Sequence, residues 1–112
     1  MPKIIVQATI PAGQSVSSAI DLSAGNAVFC QMPSGWTPAL LTFLISYDGN
    51  TFGDFVDQNT REVSLNVLPG TVIRVDLLPS RYGWLKFRSG SRFGPVVQTA
   101  SRTFTILADT ST

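Results

Sequence analysis

The side chains that could carry out chemistry in this chain are few. There is no histidine, which removes the commonest general base and metal ligand. Cys30 is the one cysteine of the sequence, so neither an internal disulfide nor a Cys/His zinc spacing can form. No cation or histidine adjoins it in sequence, and a thiolate nucleophile is not expected. Serines are plentiful, yet no Gly-x-Ser-x-Gly elbow occurs and no histidine could complete a triad. Asp48, Asp54, Asp57, Glu62 and Asp76 could supply a carboxylate pair of the kind that cleaves glycosides, but their spacing favours no pair. Asp48, Asn50 and Asp54 offer oxygens for calcium, although the run lacks the length and glutamate of an EF-hand loop and reads first as a turn. Phosphate-cradling glycine motifs are missing. The expectation is a protein without catalysis, cofactor or metal.

Recognition is then the chemistry left. Trp36, Trp84, Tyr47 and Tyr82 could form a platform for sugar rings or bases, or could fill a core or an interface. Trp36, between Gly35 and Thr37-Pro38, is the best placed to be exposed. Arg81, Lys86, Arg88, Arg92 and Arg102 concentrate in the C-terminal third, but they alternate with strand residues and read as a solvated face. The net charge of +1 supplies no field for nucleic acid or membrane, and neither is expected as a partner. Only 13% of residues are charged, about half the usual ~25%. A surface so poor in charge suggests cover by copies of the chain or by a partner.

The elements that must position these groups are strands. Leu40 to Asp57 is the centre: two apolar runs flank Asp48-Gly49-Asn50, a strong hairpin signal. Further strands are predicted over Lys3–Ile10, Ser15–Leu22, Ala27–Met32, Arg61–Val67, Thr71–Leu77, Trp84–Arg88 and Gln98–Leu107. Turn chemistry separates them at Pro11-Ala12-Gly13, Ser23-Ala24-Gly25-Asn26, Pro69-Gly70 and Gly90 to Pro95. A short helical or 3₁₀ turn fits only at Leu78–Gly83. Eight or nine short strands, with no amphipathic helix, predict one all-β domain over residues 1–112, with 108–112 as a frayed tail. The chain opens directly on a strand pattern and has no apolar run near the ~20 residues that span a bilayer, so no export signal or membrane span is expected.

Three stretches carry a resemblance: Thr9 to Asp57, with its Ile-Pro-Ala-Gly-Gln start, Gln-Met-Pro-x-x-Trp-Thr segment and Ser-x-Asp-Gly hairpin; Arg81 to Gly90; and Gln98 to Leu107. The chain resembles small proteins encoded among the structural genes of tailed bacteriophages and prophages. The layout SYDGNTF…WLKFRSG is also similar to discoidin-like, galactose-binding jelly rolls, with one extra residue between Tyr82 and Leu85 and no sugar-contacting residue that can be matched. These resemblances imply an antiparallel β-sandwich of jelly-roll type and a virion component, made in the host cytoplasm. The favoured role is a capsid decoration or cement protein held non-covalently on the major capsid protein or other virion proteins. A homo-oligomer, a trimer among the possibilities, would suit it. A neck, tail or head-fibre component and a carbohydrate-binding module are the alternatives. The expected contact residues are Ile4, Ile5 and Val6 on the first strand, Trp36 in its loop, and Arg92 and Phe93 in the loop Ser91–Gly94.

Overall fold

The computed structural model describes residues 3–22, 25–75 and 83–110. Among them the regular elements are all strands: β1 (Lys3–Ile10), β2 (Ile20–Asp21), β3 (Asn26–Gln31), β4 (Leu41–Ser46), β5 (Gly53–Asp54), β6 (Ser64–Leu65), β7 (Val72–Arg74), β8 (Trp84–Ser89) and β9 (Arg102–Asp109). They form two antiparallel sheets, ordered β1-β9-β3-β7 and β2-β8-β4-β5, with β6 also paired to β4. The arrangement is all-β and compatible with a β-sandwich.

The two-residue alternation decides which side chains face inward. Ala8, Ile10, Cys30, Phe104 and Ile106 enter the core from the first sheet, and Ile20, Leu41, Phe43, Leu85 and Phe87 from the second. Phe87 meets Phe104 across the sheets with ring centroids 4.6 Å apart, and Phe43 lies edge-on to Phe87 at 5.6 Å. Burying such a ring stabilises by roughly 1.5–3 kcal/mol, so these three are the centre of the core. Ala27 and Cys30 both point inward although three residues apart. A shift in register between Ala27 and Phe29 reconciles them, and it turns Phe29 to the outer face.

Several predicted strands are shorter than their patterns. Of Ser15–Leu22 only Ile20–Asp21 is strand; before it, the Ser17 hydroxyl takes the place of a carbonyl and accepts the Phe87 N–H at 2.9 Å. Of Arg61–Val67 only Ser64–Leu65 is strand, with Glu62 in a single bridge to Val56, because β4 is covered in two pieces, by β5 at Leu44–Ile45 and by β6 at Leu41–Thr42. The last strand begins at Arg102 and not at Gln98, whose side chain is buried in side-chain and loop bonds instead. It also runs to Asp109 with Ala108 buried, so the tail expected to fray from 108 is held there by β1 and β3. The turn proposed for Leu78–Gly83 lies almost wholly outside the described residues.

Candidate functional site

The central hairpin is built, with a longer loop than its Asp-Gly signal suggests. Asp48 Oδ1 accepts the N–H groups of Asn50 and Thr51 at 2.8 and 2.9 Å and the Ser46 hydroxyl at 2.8 Å. These bonds, led by those from Thr51 and Asn50, hold the Asp48 carboxyl below its ordinary 3.8. Gly49 sits at φ 80° against the Trp84 ring, where a Cβ would come within 3.1 Å. Asp48 therefore organises a turn, while Asp54, the other carboxylate considered for calcium, is engaged elsewhere by two arginines. Among the described residues no three Cys, Asp or Glu side chains lie together as metal ligands.

Those arginines define the most constructed polar cluster. Arg88 is only 7% exposed. Its Nη1 donates to Asp54 Oδ1 at 2.6 Å, its Nη2 donates to Glu62 Oε2, and its Nε donates to Thr42 Oγ1 at 3.0 Å. Thr42 in turn donates to the Gly90 carbonyl at 2.7 Å. The arginine expected on a solvated face is thus a buried ion-pair centre. Its strand pattern is ordinary; the cover comes from Asp54 and Glu62, distant in sequence. Lys86, on the same strand face, lies 4.4 Å from the Phe52 ring centroid.

The cluster anchors a hairpin that leaves the end of β8. Ser91 and Gly94 exchange N–H···O=C bonds at 3.1 and 3.2 Å, Gly90 bridges Pro95, and Val96 N–H donates to the Ser89 carbonyl. Gly90 has φ 91°, and a Cβ there would fall 2.4 Å from the Gly94 carbonyl oxygen. Arg92 is tied twice: its N–H lies 2.9 Å from Glu62 Oε2, and its Nε lies 3.1 Å from Asp54 Oδ2. Phe93, beside it at the tip, is 90% exposed, with the Arg92 guanidinium carbon 5.0 Å from its ring centroid. An exposed aromatic on a backbone held by buried charge is pre-organised for contact.

Trp36, expected at the surface, is in the core. It is 3% exposed, lies edge-on to Phe104 at 5.6 Å, and donates its Nε1–H to the Ala39 carbonyl at 3.2 Å. Its Gly/Pro-rich loop folds inward because Gln98 clamps it: Gln98 Oε1 accepts the Thr37 N–H at 2.9 Å, and its Nε2 donates to the Thr37 carbonyl and the Ser89 hydroxyl. Arg102 Nε donates to the same Gln98 oxygen at 3.0 Å. The surface contact expected of Trp36 has no exposed ring to make it. Trp84 is partly buried, its ring against Gly49.

Ile4, Ile5 and Val6 lie on β1, in the other sheet from the Arg92–Phe93 hairpin. Ile4 and Val6 are half-buried and turn inward; Ile5 is 64% exposed. Pairing puts Ile5, Leu107 and Phe29 side by side across β1, β9 and β3. With Val72, Gln31 and Thr105 they line an open apolar groove of about 250 Å³. Sequence reading missed Phe29, Val72 and Leu107 as surface residues; only the register shift in β3 could have exposed the first. Comparison of the chain with protein-family models, curated proteins and solved structures gave no match.

Proposed function

We propose that this chain is a non-enzymatic contact module of a tailed-phage virion, a decoration or cement protein bound non-covalently to the head shell. The observation that carries the reading is Phe93, fully presented on a hairpin whose base is fixed by Arg88, Asp54 and Glu62. Buried charge spent on fixing a surface loop suits recognition of a protein partner. The sheets are read as a jelly roll. Nested pairing supports this: β1 with β9, β2 with β8, β3 with β7, and β4 with β5 and β6, as in one long hairpin rolled on itself. The charge-poor composition and the resemblance to phage structural proteins point the same way. A sugar-binding role has less support, since Trp36, its best platform residue, is in the core.

The test is quantitative mass spectrometry of gradient-purified particles from the encoding virus or prophage. A copy number comparable with that of the major capsid protein is the expected result. A small fixed number would move the chain to the neck, tail or a head fibre. Absence from the particle would overturn the virion reading.

A further inference from the structure

Strand β1 is the one long edge among the described strands: β2, β5 and β7, at the other sheet edges, have two or three residues each. Edges of this kind are commonly blunted by proline, bulges or charge. β1 carries none of these between Ile4 and Ile10, and its register against β9 is unbroken. Its outward groups can be assigned. Thr9 N–H donates to Ser18 Oγ at 3.3 Å and its carbonyl accepts the Ser18 N–H at 3.0 Å, both on the side away from β9. By the two-residue repeat, Lys3, Ile5 and Gln7 direct their N–H and C=O groups to that same side. Among the described residues no backbone bond outside the sheets reaches them.

We propose that two copies of this chain pair edge to edge through β1, antiparallel about a two-fold axis at Ile5. This register uses all the open groups of Lys3, Ile5 and Gln7, each facing pair exchanging two bonds. It sets Ile5 opposite Ile5 and Lys3 opposite Gln7, which keeps the two lysines apart. The paired stretch ends at Gln7, before Ser18 covers Thr9. It also continues the outer row Phe29–Leu107–Ile5 into the second copy's Ile5, Leu107 and Phe29, making one apolar band across a joined sheet. This self-complementarity selects a second copy over a foreign strand. So narrow an interface gives a weak dimer, with a Kd on the order of 10–100 µM, populated where copies are concentrated. The inference does not rest on the virion reading, because it is tested on the purified chain alone.

The experiment is sedimentation equilibrium of the full chain from about 1 to about 500 µM. The expected result is a monomer–dimer equilibrium. Ile5→Pro removes an outward N–H without touching the β1–β9 ladder and should raise Kd about tenfold or more. Gln7→Lys, which faces Lys3, should weaken the dimer about threefold, and Gln7→Glu should tighten it about as much. Circular dichroism and thermal melting of the monomer check that each variant is folded, and the two exposed Gln7 variants keep the test intact if Ile5→Pro does not fold. A chain monomeric throughout, a dimer indifferent to Ile5→Pro, or Gln7 variants that shift Kd equally would each overturn the proposal.

Discussion

Cys30 illustrates how far burial alone settles a residue's chemistry. Its side chain is fully enclosed, and desolvation pushes the thiol from its ordinary 9.0 to about 12. The folded state therefore keeps its proton at pH values where the unfolded chain has lost it. Stability from this group is complete below pH 9 and is lost as pH rises from 9 through about 12. Chemical unfolding from pH 8 to 11 should show that decline in the wild type and a shallower one in Cys30→Val; equal slopes would contradict the assignment. The same thiol should resist disulfide reagents until the protein unfolds. The inert character of Cys30 was legible from its apolar neighbours, Val28, Phe29 and Met32. Burial of Trp36 was not. Its local sequence is that of a surface loop, and the clamp from Gln98 arrives from sixty-one positions away.

At the scale of elements, hydrophobic alternation was enough to find β1, β8 and β9, and apolar runs bounded by turn signals were enough to find β3 and β4, because each of the five makes a long ladder. It overestimated the segments Ser15–Leu22 and Arg61–Val67. Alternation reports a half-buried extended chain, while ladder length depends on which partner is free. The Arg92–Phe93 hairpin was legible as a Gly-bearing loop, but its anchor was not, since Arg88 reads like any outward strand residue. That anchor is open to test. Arg88→Ala strands Asp54 and Glu62 without their shared guanidinium and should destabilise the fold by about 3 kcal/mol in urea titration. Hydrogen exchange at Gly94 and Val96 should accelerate with it. Unchanged stability and unchanged exchange would mean that the ion pairs do not hold the loop.

Around its apolar core, the described part of the molecule buries a few polar side chains and leaves several large apolar ones exposed. Buried Arg88, Gln98, Thr42 and Ser89 fasten loops to the sheets, while Phe93, Ile5, Leu68 and Val72 remain exposed. The two contacts proposed above, the hairpin tip with a partner and the β1 edge with a second copy, would each cover such exposed apolar groups. On the function proposed above, Phe93 serves binding and not folding. The most direct measurement is the binding of purified Phe93→Ala, beside wild type, to particles depleted of this chain. The expected result is wild-type stability within about 0.5 kcal/mol and an affinity loss of about thirtyfold, or roughly 2 kcal/mol. Undiminished binding by a folded Phe93→Ala would contradict that role.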